Sequence, residues 1–195
     1  FTDSWYDYDK EKEAANSLIS IDKCVLISQH ADSMGAPSAC EAAGVPNVSY
    51  NGSTYKACPE TFIVSSAINW APYYNYIIGQ VVKGEKIAAD WCGGIAEGSV
   101  VLTGINQDVA AEGTVEAIKE AINGLKSGDV KVFDTLNFTV DGEKVTSYVA
   151  DVDTDAEFKG DTEVVDTYVF RESFFRSAPY FDLRIDGITL LNEKF

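Results

Sequence analysis

Positive charge is scarce in this 195-residue chain, where 15 Lys and Arg stand against 31 Asp and Glu for a formal net charge of −16. Nucleic-acid and anionic-membrane surfaces reward clustered Lys and Arg, so the balance argues against both as partners. There is no run of 18 or more apolar residues, and the opening FTDSWYDYDK has neither a basic n-region nor an apolar h-region. Nothing therefore reads as a membrane span or a targeting segment. The four cysteines, Cys24, Cys40, Cys58 and Cys92, fit no zinc spacing and include no CxxC pair, which argues against a structural metal or a thioredoxin-like role. Cys24, inside the apolar run CVLIS, is expected to be a buried free thiol, and a disulfide among the others stays open. What is present is 46% hydrophobic content, ample for one well-cored domain, or one and a small appendage.

Strands and helices alternate through the first two thirds. Residues 9–20 place Ala14, Ala15, Leu18 and Ile19 on one stripe behind an acidic first turn, the pattern of a short amphipathic helix. KCVLIS follows as an apolar strand, then a helix over 34–44 ending at Gly44, then VPNVSY as a second strand. TFIVSS is a third strand, and Ile77, Ile78, Val81 and Val82 mark a helix over 71–83 that Gly84 stops. GSVVLT is a fourth strand, and Val115, Ile118, Ile122 and Leu125 mark a further helix closed by Gly128. This alternation predicts an α/β sheet of parallel strands with helices on both faces, a three-layer α/β/α, Rossmann-like arrangement with ligands beyond the carboxyl ends of the strands. From residue 131 the pattern changes to period two around VDGEK, a β-hairpin, and IDGI near the end reads as a turn before a short strand-like run. The expected organisation is an α/β ligand-binding lobe over 1–130, with a β-hairpin and C-terminal extension over 131–195 on the same domain.

Few motifs carry chemistry. His30 is the one histidine, just past the first strand, and Ser28, His30 and Asp32 lie two apart on an extended segment, which does not make them face one another. His30 is expected to hydrogen-bond a ligand and not to catalyse. Asp151, Asp153 and Asp155 alternate like the start of a calcium loop, but Ala156 and Thr162 stand where the sharp-turn Gly and the bidentate Glu belong, so a solvated acidic loop is expected. CGGIAEG lacks the order of a phosphate cradle, and no metal or cofactor is expected. The aromatics are more telling. Trp5 sits before the first helix, and Asn69 and Trp70 sit before the third; a flat ring in a cleft stacks on a planar ligand while Asn, His and Asp read its polar edge.

SWYDYDKEKEAANSLI, VLISQHADSMGAPSACEAAGV, INWAPYYNYIIGQVVKGE and VFDTLNFTVDG, in this order, resemble the C-terminal portion of the basic membrane protein (BMP) family, substrate-binding lipoproteins of bacterial ABC transporters with the periplasmic-binding-protein type I fold. The likeness covers most of the chain. It implies a nucleoside, a nucleobase or a similar flat heterocycle held between two lobes, with this chain mainly the second lobe of a truncated product. The implied partners are that small molecule, the N-terminal lobe and an ABC permease. The implied location is extracytoplasmic, with a lipid anchor on the full-length protein. By position Trp5 takes the place of the family's stacking aromatic, and His30 and Asp32 lie in its ligand-side turn. Asn51 stands where nucleoside binders carry a sugar-binding Asp, and Asn69, beside Trp70, stands where they carry a Lys, departures that add weight to a free base. Dimerisation of the isolated lobe through its interlobe surface is a further expectation. A ligand-sensing module on the same fold is the alternative, and a nucleobase or nucleoside hydrolase is a weaker one.

Overall fold

The computed structural model of the chain describes residues 5–153, 156–157, 159–172, 174–175 and 183–188. It divides into two compact units, Phe1–Lys126 and Ser127–Phe195.

The first unit opens with α1 (Tyr8–Ser20). Asp7 caps it by accepting from the Lys10 amide (3.0 Å), and the Glu11 carboxylate reaches back to accept from the Asp7 amide (2.9 Å). Two of the orphan N–H groups at the helix start are thereby satisfied. α2 (Gly35–Ala43) stops at Gly44, whose φ of 67° is the left-handed conformation that closes helices. The two helices pack closely because α2 presents no side chain at Gly35, where an added Cβ would lie 2.3 Å from the Tyr8 carbonyl oxygen. Ala15, Ala36 and Ala39 fill the rest of that contact.

Four strands form one sheet in the order β1 (Ile27–Ser28), β2 (Asn47–Tyr50), β3 (Phe62–Ile68) and β4 (Val100–Leu102). β1, β2 and β3 run parallel, with Ser28 beside Val48 and Tyr50 beside Ser66. The molecule is a mixed α/β structure, as the alternation predicts, with three departures. β4 pairs antiparallel to β3. A parallel β4 needs a crossover that returns the chain to the amino end of the sheet. Residues 84–99 instead finish at the carboxyl end, where the Asn69 amide donates to the Ser99 carbonyl (2.7 Å), so β4 starts beside the place where β3 stops.

The second departure is the length of β1. Pairing with β2 begins only at Ile27, while Lys23 adopts a φ of 58° and Val25 is 81% exposed, so residues 23–26 form the turn out of α1. Cys24 accordingly sits half-buried, and the buried thiols are Cys40 and Cys58; all four cysteines are free. The third concerns the later helices. α3 (Ala71–Lys83) and α4 (Thr114–Ser127) keep their expected places, α3 beginning with a Pro in its first turn and ending at Gly84 with a φ of 68°. Neither buries a residue, so the covering layer expected from them is incomplete within this chain.

The second unit gathers Val145, Ala150, Val164, Val165 and Phe170 into a small core of its own. The expected hairpin is present as β5 (Thr139–Val140) and β6 (Glu143–Lys144), turning through Asp141 and Gly142 at φ 52° and 82°. Asp186, in the expected IDGI turn, clamps it by accepting from Thr139 Oγ1 (2.5 Å) and the Gly142 amide (2.9 Å). Two further antiparallel ladders join β7 (Val149–Ala150) to β8 (Thr162–Glu163) and β9 (Val165–Asp166) to β10 (Val169–Phe170). Asp155 and the strand-like run beyond Ile188 lie outside the described residues.

Candidate functional site

The carboxyl ends of β1 and β2 converge on one rim because the two strands are parallel neighbours. Four of the six residues singled out from the sequence meet there. The Asp32 amide donates to the Trp5 carbonyl (3.1 Å), and Asn51 Nδ2 donates to Asp32 Oδ1 (2.8 Å), so one chain of hydrogen bonds links the segment before α1 to the ends of both strands. His30 sets its ring 5.2 Å from that of Tyr50, tilted by 35°. Asn51 holds a φ of 64°, a left-handed conformation that Asn tolerates better than most residues. The Trp5 side of this rim is open, since the residue is 86% exposed.

The support beneath the rim is buried. Ser33 Oγ donates to Glu11 Oε2 (2.5 Å) and accepts from the Gly35 amide (3.0 Å), which ties the turn carrying Asp32 to the start of both helices. Gln29 Nε2 donates to the Ala31 carbonyl (3.0 Å), and the fully buried Asn47 donates to the Ile27 carbonyl (3.1 Å) while accepting from Ser49 Oγ (2.6 Å). Glu11, Ser33, Asn47 and Ser49 are buried and each has its partner, with half-buried Gln29 beside them, so the rim rests on a fixed base. Neither Tyr50 nor the Glu11–Ser33 pair was marked from the sequence.

Asn69 and Trp70 fall in a second cluster, farther along at the end of β3. Asn69 uses its amide internally, donating to the Gly98 carbonyl (2.9 Å) and accepting from the Ala71 amide (3.1 Å), and so fixes the entry into α3. Trp70 stands 6.4 Å from Tyr73, and Tyr73 stands 5.3 Å from Trp91, ring centre to ring centre. These rings line a cavity of about 470 Å³ that Ile68, Asn69 and Ser99 also border. Ser99 Oγ is buried there without a hydrogen-bond partner. Gly93 lies under the Trp91 ring, with no room for a Cβ. Among the described residues no hydrogen bond or ring contact joins this cluster to the first.

Chemically, the first cluster offers a flat ring, a carboxylate, an amide and an imidazole. Among the described residues His30 makes no hydrogen bond to Ser28 or Asp32, and no group of three or more metal-ligating side chains comes together. No helix among the described residues is long and apolar enough to cross a membrane.

In α/β sheets with parallel strands, ligands sit beyond the carboxyl ends of the strands, which is where this rim lies. The family described as ABC transporter substrate-binding protein PnrA-like (Bmp) matches residues 1–134, and the chain belongs to it. A purine-binding protein of Brucella abortus is 30% identical over 167 residues, covering 78% of this chain and 47% of its own length. A putative ABC transporter glucose-binding protein of Haloferax volcanii is 29% identical over 112 residues, covering 57% of this chain and 28% of its own. The chain thus spans about half the length of the first of these curated relatives and less of the second. Among solved structures, a transcriptional activator of the comK gene from Bacillus halodurans shares the fold at a TM-score of 0.55 and 18% identity, over 65% of this chain and 45% of that one. An ABC transporter solute-binding protein from Conexibacter woesei aligns at a TM-score of 0.49 and 25% identity, over 67% of this chain and 44% of that one.

Proposed function

We propose that this chain is the C-terminal lobe of the solute-binding component of an ABC importer, and that it holds a nucleoside, nucleobase or similar flat heterocycle against its Trp5 rim. The observation that carries the reading is the hydrogen-bonded chain from the Trp5 backbone through Asp32 to Asn51, together with the exposure of the Trp5 residue itself. A relative that carries purine in its name supports the same ligand class. In this reading the N-terminal lobe closes over the ligand outside the cytoplasm, water leaves both faces of the ring, and the closed form docks on the permease. The work is binding without covalent chemistry. A lipid anchor on the natural-length protein belongs to the same proposal. The isolated lobe is expected to bind weakly, since a ring stacked on one side stays wet on the other, and to dimerise through its exposed aromatic rim.

A thermal-shift screen of the natural-length protein against nucleobases, nucleosides and glucose tests the reading, because a ligand that binds the native state alone raises the melting temperature. A nucleobase or nucleoside is expected to shift it, and Trp5→Ala is expected to remove most of that shift. A shift with glucose and none with any heterocycle would overturn the ligand class.

A further inference from the structure

We infer that the rim selects a heterocycle carrying an exocyclic amino donor, and that Asp32, fixed by Asn51, is the residue that makes this choice. The inference rests on the proposed function above and names the chemical class within it.

Asp32 makes no ion pair among the described residues, where the ion pairs are Lys10 with Asp7 and Arg171 with Asp166. Its side chain receives one hydrogen bond, from Asn51 Nδ2 to Oδ1, which leaves Oδ2 unengaged. That same bond orients the Asn51 amide, with its nitrogen on Asp32 and its oxygen unengaged. Two acceptors, one of them charged, therefore stand on neighbouring side chains of the rim, with no ion pair to satisfy the carboxylate among the described residues. In the open lobe water does so. Closure removes the water, and an ionised carboxylate taken out of water without a donor is costly. A ligand edge with an exocyclic amino group restores the lost hydrogen bonds, whereas the same flat ring without that group leaves Asp32 unpaired at this edge. Sites built in this way reject the donor-less analogue far more strongly than an apolar pocket rejects a size change.

The backbone is committed to the arrangement as well. Asn51 sits at a φ of 64°, and the Asp32 amide donates to the Trp5 carbonyl, so the Asp32 carboxylate, the Asn51 amide and the Trp5 backbone are tied together before any ligand arrives. Glu11 and Ser33 anchor the same turn from below and act as positioning residues.

The experiment is isothermal titration of the natural-length protein with adenine, unsubstituted purine and glucose, repeated on Asp32→Asn. A hydrogen bond to a charged group predicts adenine to bind on the order of 10- to 100-fold more tightly than purine, and Asp32→Asn to cut that ratio to a few-fold. The unliganded melting temperature of Asp32→Asn reports whether the variant is folded, and the adenine to purine ratio of the unaltered protein stands without it. Equal affinity for adenine and purine in the unaltered protein would overturn this inference while leaving the heterocycle reading intact. An unchanged ratio in folded Asp32→Asn would remove Asp32 from the role. Binding of glucose with neither adenine nor purine would overturn the reading on which the inference rests.

Discussion

Helix α2 is assembled from small residues and buries five of them, Gly35, Ala36, Pro37, Ala39 and Cys40, whereas α3 carries larger apolar side chains and buries none. On α3, Ile78 stays 59% exposed and Val82 81%. Both helices show apolar spacing at the helical period, so the difference does not lie in pattern. It lies in what each is given to pack on. α2 meets α1 closely, helix on helix, and the contact fixes the turn that carries Asp32. α3 is offered to the outside by a chain that spans about half the length of its purine-binding relative. An apolar stripe reports what a helix can bury and says nothing of whether the cover is in hand.

One substitution made in both helices breaks the comparison most sharply. A Cβ at Gly35 would meet the Tyr8 carbonyl at 2.3 Å and the Lys12 amide nitrogen at 2.9 Å, both backbone atoms, while a Cβ at Gly79 in α3 meets nothing within 4 Å. Gly35→Ala is expected to cost about 3 kcal/mol through forced separation of α1 and α2. Gly79→Ala is expected to gain about 0.5–1 kcal/mol from helix propensity alone. Urea unfolding of the two variants checks both the magnitudes and the opposite signs.

A smaller effect comes from pH, and it acts on the α2 side alone. Burial is the main cause that lifts the Cys40 thiol from 9.0 to about 11, with nearby Cys58 adding to it, and burial also raises Cys58. A raised folded value means that the fold favours the protonated thiol. The stabilisation is fully present below about pH 9 and is lost as pH rises through about 11. Other groups titrate in that range, so the informative quantity is the difference between proteins. Cys40→Ala is expected to lose less stability than the unaltered chain between pH 8 and pH 11, as read from urea midpoints under reducing conditions.

The sequence made α2 and α3 legible because their ends are local events, with Gly44 and Gly84 in left-handed backbone and Pro72 in the first turn of α3. The direction of β4 was not legible, since it depends on where the 84–99 connection ends in space. Nor was the shortness of β1, because an apolar run such as CVLIS does not show where its neighbour's hydrogen bonds begin. The candidate site was legible only as residue types, Trp5 before a helix and the others beyond strand ends. That Asp32 and Asn51 bond to each other, and that Asn69 spends its amide on Gly98 and Ala71, could only come from three-dimensional pairing. The Trp91 ring joined Tyr73 in the same way, across 18 residues of chain.

The central claim is that ligand stacks on the Trp5 rim, and the three tryptophans, Trp5, Trp70 and Trp91, give a direct way to test it. Indole N–H signals of the natural-length protein, assigned with the three Trp→Phe variants, would be followed while adenine is titrated. The account predicts that the Trp5 signal moves as binding saturates, while that of Trp91, packed against Tyr73 and over Gly93, stays in place. A Trp5 signal that stays still through saturation, with Trp91 moving instead, would put the ligand in the α3 cavity and contradict the account.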